Sequence, residues 1–230
     1  MRWIPIVILL LLLTAGSANA GAQQGWAAYL KGDYAAALKQ LKPLADAGDR
    51  DAEYYLGTMY SDGHGVPRSS REAAAWFEKA AQQGQADAQF SLGFALVNGA
   101  GEGADAVPAD PAAGVSWLEK AGSQGNVSAA YYLGYLYWTG TSVPADRDKA
   151  LSWTVRAADM GDPAAQYQAG SILAATPGAA NAINAYKWFD LAARKGDARA
   201  AQARDKLAAE RLAPAEVQQA KALADAWHPR

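Results

Sequence analysis

The side chains able to do chemistry in this 230-residue chain are few and scattered. Its two histidines are His64, inside Gly63-His-Gly65, and His228, next to the terminus. No two imidazoles therefore stand at the spacing of a metal site or a nucleophilic triad. Gly99-x-Gly101-x-Gly103 has the glycines of a phosphate loop, but no strand pattern precedes it, and it reads as a flexible insertion. Glu102, Asp105 and Asp110 lack the ligand spacing of a calcium loop and read as solvated charge. G-x-S-x-G, H-E-x-x-H and G-x-x-x-x-G-K-[ST] are absent. The expectation is no catalytic residue, no cofactor and no metal. What remains is aromatic: Tyr132, Tyr135 and Trp138, at i, i+3 and i+6, form one stripe of a helix. Tyr and Trp are enriched where proteins bind one another. The chemistry on offer is recognition.

The element that carries this stripe is repeated. Gly57, Gly93, Gly134 and Gly170 recur at intervals of 36, 41 and 36 residues. Trp76, Trp117, Trp153 and Trp188 recur at 41, 36 and 35, and a further Gly stands at 48, 84, 125, 161 and 196 in the same register. The unit is a helix, a loop and a second helix. Ala129-x-x-x-Leu133-Gly134-x-x-Tyr137 sets small and apolar residues on one face at 3.6 residues per turn. A glycine inside a helix weakens it by roughly 1 kcal/mol relative to alanine, so its recurrence predicts close approach of the neighbouring helix. The second helices, such as Ala73-Ala-Ala-Trp76-Phe77-x-Lys-Ala80-Ala81, set large aromatics against small alanines on the packing face. Ser69-x-x-Glu72 predicts a capping box, and Asp33, Asp110, Asp146 and Asp162 predict N-caps. The extra residues of the long interval lie in 99–108, an insertion on one face. The ends are atypical, as the ends of stacked repeats are.

At the N-terminus, Arg2, the apolar run Trp3 to Leu13 and then Ala18-Asn-Ala20 follow the layout of a cleaved secretory signal peptide, with a signal anchor as the rival reading. The run is shorter than the about 20 residues of a membrane span. Residues 1–20 are therefore expected to be removed, leaving 21–230 as one all-α domain with no membrane insertion. The absence of cysteine means stability by packing alone, and the expected location is the periplasm, with release to the medium as the alternative. A formal charge of −2 argues against nucleic acid as a partner.

Ala-x-x-x-Leu-Gly-x-x-Tyr-x-x-Gly, then Gly65-Val-Pro67 or Val143-Pro144, then Ala-x-x-Trp-x-x-x-Ala-Ala-x-x-Gly, resembles the Sel1-like repeat family, relatives of the tetratricopeptide repeat. The copies are 50–84, 85–125, 126–161 and 162–196, flanked by a degenerate helix pair at 21–49 and capping helices at 197–230. The fourth copy departs from the pattern, with Thr176-Pro-Gly in place of the usual loop, and Ala213 stands where a capping Ser or Thr is expected. The resemblance implies a right-handed superhelical solenoid of stacked helix-turn-helix repeats that serves as a non-enzymatic scaffold for a protein or peptide partner. Transferred from tetratricopeptide relatives, the partner-facing positions lie two before, one after and four after the helical Gly. These are Tyr55, Thr58, Ser61, Ser91, Phe94, Val97, Tyr132, Tyr135 and Trp138, then Gln168, Ser171 and Ala174. The alternative class is a cell-envelope enzyme or saccharide binder with an aromatic platform and carboxylates such as Glu53 or Asp62. A hydrolase of that kind needs two carboxylates about 5–9.5 Å apart across a cleft.

Overall fold

The computed structural model describes residues 20–229, so the expected leader, apart from Ala20, falls outside the described residues. Two compact units divide between Ala121 and Gly122. The first holds α1 (helical over 20–30), α2 (Tyr34–Asp46), α3 (Arg50–Asp62), α4 (Ser70–Gln82), α5 (Ala86–Asn98), a 3-10 turn (Gly103–Asp105) and most of α6 (Pro111–Ser123). The second holds α7 (Val127–Thr139), α8 (Arg147–Asp159), α9 (Pro163–Ala175), α10 (Ala179–Arg194), α11 (Ala198–Arg211) and α12 (Pro214–Asp225). Among the described residues the one departure from helix and turn is an antiparallel bridge between Ala100 and Val107. The all-α expectation holds. Consecutive helices pack on each other, α2 through α5 in the first unit and α7 through α10 in the second, where α11 and α12 both dock on α10.

The helical glycines sit where expected and for the expected reason. A Cβ on Gly57 would lie 2.7 Å from the Phe77 ring, and one on Gly170 would lie 2.6 Å from the Phe189 ring. On Gly93 it would meet the Gly114 carbonyl and Leu118 at 2.9 Å, and on Gly134 it would run into Thr154 Oγ1. Each glycine thus faces the residue that follows the repeated tryptophan. That residue, rather than the tryptophan, is the constant plug of the repeat. Trp76 and Trp188 are buried but Trp117 and Trp153 only half so. A cation covers each indole: Lys79 at 3.7 Å, Lys120 at 3.8 Å, Arg156 at 5.9 Å and Lys187 at 3.8 Å from the ring centre. Thr154 is fully buried and its hydroxyl has no hydrogen-bond partner, which makes the third repeat the least well satisfied of the four at this point.

The joints between repeats follow one rule. A glycine in the left-handed region closes each second helix, as at Gly84 (φ 85°) and Gly161 (φ 91°), and the next residue caps the next helix. Asp49, Gln85, Asn126, Asp162 and Asp197 accept from amides two or three residues on. Asp33, Asp110 and Asp146 also cap as expected, with Oδ1 taking amide protons at 3.0, 3.0 and 2.9 Å. The capping box at Ser69 is only half made: its hydroxyl accepts from the Glu72 amide, but its own amide donates to the Tyr60 carbonyl. Two buried glutamines, four residues before the helical Gly, stitch neighbouring repeats. Gln89 Nε2 donates to the Ala81 carbonyl and Gln166 Nε2 to that of Ala158, each an acceptor in the last turn of the preceding helix.

The departures from the repeat resolve simply. In the fourth copy the loop shrinks to Thr176–Gly178 and α10 runs to 16 residues against 13 for its counterparts. Ala213 offers no side-chain cap, and Glu216 instead accepts from its amide at 2.8 Å. At the C-terminal end Asp190, 5% exposed, pairs with Arg194 and Arg204, and Arg194 reaches Asp225, tying α10, α11 and α12 together. Trp227 closes the stack, its indole N–H donating to Asp159 and its ring set edge-on to Trp188.

Gly93→Ala tests the glycine contact where backbone, which cannot withdraw, is the obstacle. The helix gains about 1 kcal/mol of propensity, yet the clash should lower unfolding stability by a net of about 1–3 kcal/mol in urea denaturation.

Candidate functional site

The first unit contains a cavity of about 570 Å³. One wall is α3, where Tyr54, Thr58 and Ser61, at i, i+4 and i+7, share a face. The other is α5, where Phe90 and Phe94 stand one turn apart with ring centres at 6.1 Å. Phe77 forms the floor beside Tyr54, at 5.9 Å. Phe94 is 47% exposed at the rim, while its helix neighbours Leu92 and Gly93 are buried. Four of the positions expected to face a partner, Thr58, Ser61, Ser91 and Phe94, thus surround one open groove. Val97, expected with them, is 4% exposed and packs against Gly114. Three residues on, it lies about 60° round the helix from Phe94, on the side where Gly114 of α6 covers it.

The insertion closes one end of this groove through Gly99, Ala100 and Gly101, and it is anchored. Asp105 accepts from the Ser69 hydroxyl at 2.6 Å and from the amides of Ser70 at 2.7 Å and Arg71 at 3.2 Å. A carboxylate at the N-terminus of α4 meets unpaired amides and the positive end of the helix dipole. These bonds, that from Ser69 foremost, hold the Asp105 carboxyl below the usual carboxylate range. The expectation of a flexible insertion with solvated charge is corrected at Asp105, which holds the N-terminus of α4.

Of the remaining candidates, Tyr55 does not face the groove: its ring stacks on Trp26 at 4.6 Å and 7°. Trp26 in turn stacks on Tyr29, also at 4.6 Å. Tyr29 donates its phenol proton to Asp62 and lies 3.0 Å from His64 Nδ1, and Tyr34 stacks on His64 at 4.4 Å. His64 is therefore half-buried in an aromatic cluster that fastens α1 and α2 to the end of α3, not a free loop side chain. Burial, then the bond to Asp62, pushes the Tyr29 phenol up. Glu53 is buried with Gln83 Nε2 donating to it at 2.7 Å, and burial raises its carboxyl. Glu53 and Asp62 lie nine residues apart on α3, about 13 Å along the axis, and do not face each other across a cleft. Among the described residues no three His, Asp or Glu side chains converge to hold a metal. In the second unit, Tyr132 and Tyr135 stack at 6.2 Å, Tyr135 is 44% exposed, and Arg147 lies over Trp138 at 4.7 Å. Tyr132 and Trp138 are half-buried beside Tyr135, with Leu133, Leu136 and Tyr137 beneath them as core.

A Sel1 repeat profile matches residues 50–85, 86–126, 127–162 and 163–197, and each match holds one glycine and its facing plug. The chain belongs to the Sel1 repeat family. It is similar to a Sel1 repeat protein of Oxalobacter formigenes, at 24% identity over 89% of this chain and 82% of that one, TM-score 0.69. It is also similar to a protective antigen of uropathogenic Escherichia coli with an SLR fold, at 22% identity over 90% of this chain and 60% of that one, TM-score 0.67. Identities this low speak for fold alone. No curated protein matches the chain.

In this Sel1 protein the groove residues that sequence reasoning missed include Tyr54, Phe77 and Phe90 within the repeats and Arg68 between α3 and α4. It also missed Asp105, which anchors the insertion without lining the groove.

Asp105→Ala should free the insertion while Ser69 still caps α4. The expected result is lost hydrogen-exchange protection at the Ala100 and Val107 amides, with little change in melting. Because the folded carboxyl titrates below the unfolded one, the anchor is present above about pH 4 and lost as pH falls further. Wild-type protection at those two amides should therefore persist at pH 5 and fall only below the ordinary carboxylate range.

Proposed function

We propose that this protein is an exported, non-enzymatic scaffold whose groove in the first unit takes a segment of a partner protein. Sel1 repeats generally serve protein–protein interaction, and that coarse role is this chain's too. The observation that supports the site is the convergence of Thr58, Ser61, Ser91 and the exposed Phe94 on one cavity with an aromatic floor. Such concave apolar surfaces with a few polar groups are where ligands are held, and half-exposed aromatics supply the anchor. The stripe of Tyr132, Tyr135 and Trp138 is a second, separate candidate surface. Export is supported by the apolar run and Ala18-Asn-Ala20, and no described helix is long and apolar enough to cross a membrane. The periplasm is the proposed location, with release to the medium as the alternative.

Crosslinking in the cell envelope, followed by mass spectrometry, should capture a partner with wild type and lose it with Phe94→Ser or Thr58→Arg. Loss of one anchor should weaken binding by about 2 kcal/mol, or roughly 30-fold, at unchanged circular dichroism and melting. If capture survives both and fails with Tyr132→Ala or Tyr135→Ala, the surface is the stripe; survival in all four overturns binding by either. Mass spectrometry of the periplasmic protein should find Gly21 as its first residue; an intact Met1 would refute cleavage.

A further inference from the structure

We propose that the occupant of the groove is a peptide that sets a carboxylate beside a large apolar side chain, with Arg68 as the partner of that carboxylate. This rests on the groove reading above and names its ligand. Arg68 lines the groove from the loop between α3 and α4 and is exposed. Among the described residues it has no carboxylate within 4.0 Å, donates no hydrogen bond from its guanidinium and covers no ring. Most other arginines are engaged: Arg194, Arg199 and Arg204 hold aspartates, Arg147 lies over Trp138, and Arg211 donates to the Ala174 carbonyl. No Asp or Glu lines the groove. Asp105, the acid of the insertion, is committed to the N-terminus of α4.

The lining therefore has one sign of charge, uncompensated. Beside it stand the hydroxyls of Ser61, Ser70 and Ser91, which also make no hydrogen bond among the described residues. A guanidinium presents a planar fork of donors that fits a carboxylate. The hydroxyls offer donors and acceptors to peptide backbone or to the second carboxylate oxygen. The rings of Phe77, Phe90 and Phe94 provide the apolar surface against which a leucine or phenylalanine loses its hydration. A simple anion would use Arg68 and leave these rings in water; an uncharged apolar segment would use the rings and leave Arg68 unmatched. An acidic residue next to a large apolar one uses both.

The test is fluorescence anisotropy with the chain from Gly21 to Arg230 and three fluorescein-labelled, C-terminally amidated peptides. They are Gly-Ser-Glu-Leu-Phe-Ser-Gly and the same peptide with Gln or Lys in place of Glu. The Glu peptide is expected to bind about tenfold more tightly than the Gln peptide, and the Lys peptide least of all. Arg68→Gln should erase the preference for Glu while leaving the Gln peptide unchanged, and Arg68→Glu should transfer the preference to the Lys peptide. Arg68 is exposed loop, so these variants retain the fold, which circular dichroism checks. Equal binding of the Glu and Gln peptides by wild type, or a Glu preference that survives Arg68→Gln, overturns the role of Arg68 and leaves the groove standing. Binding of the Glu peptide that is indifferent to Phe94→Ser refutes the groove itself. No binding of any peptide at about 1 mM overturns the proposal. Self-association lost in Phe94→Ser would place a second copy of the chain there instead.

Discussion

The contact on which the structure depends is that of a helical glycine with the residue after the repeated tryptophan. Without a Cβ, the first helix of each repeat lets Phe77, Leu118, Thr154 or Phe189 press against its backbone. A helix pays for an internal glycine in stability, by roughly 1 kcal/mol against alanine. Burying one aromatic ring removes 150 Å² or more from water, worth a few kcal/mol at about 25 cal/mol per Å². The balance favours the plug. The same comparison explains why each glycine travels with its own plug and why the pair, rather than either residue, is the unit of the repeat. Thr154 is the weakest member, small and with an unsatisfied hydroxyl.

Once the pair sets the distance within a repeat, the joints inside each unit set its relation to the next, as at Gly84-Gln85 and Gly161-Asp162. A left-handed glycine followed at once by a capping side chain stops one helix and starts another with no spare residues. Buried Gln89 and Gln166 add a bond from the new helix to the carbonyls of the old one. A linker this short, and bonded on both sides, leaves little freedom. Freedom is spent elsewhere, in the insertion after α5. Even there Asp105 returns the chain to α4, so that the added length becomes the end wall of a groove.

The repeat and its caps were legible because their causes are local or periodic. Asp162 before Pro163 caps its helix for reasons contained in three residues, and Gly57 recurs at Gly93 because the same contact recurs. Where a side chain's fate is set by a distant element, reading failed. Ser69 follows the capping-box pattern and its hydroxyl accepts from the Glu72 amide, but the Tyr60 carbonyl takes the Ser69 amide proton that the box assigns to Glu72. His64 looks like a free loop residue until α1 and α2 bring Tyr29 and Tyr34 to it. Tyr55 occupies the same place in its repeat as Tyr132, yet Trp26 covers it. Spacing from the glycine alone could not separate Phe94, at the rim, from Val97, in the core.

The amino-acid sequence by itself therefore determined the fold class, the repeat register and the family, because helical periodicity and close packing write themselves into residue types at fixed intervals. It also determined which positions on the first helices are free to vary. Tertiary structure decided which of those positions share a cavity, that an insertion held by its aspartate walls that cavity, and that Arg68 stands on it without a partner. The physical reason is range. Packing between adjacent helices depends on residues one repeat apart, whereas a groove is the sum of walls contributed by α3, α4, α5 and a loop, and only their assembly in space defines what each side chain meets.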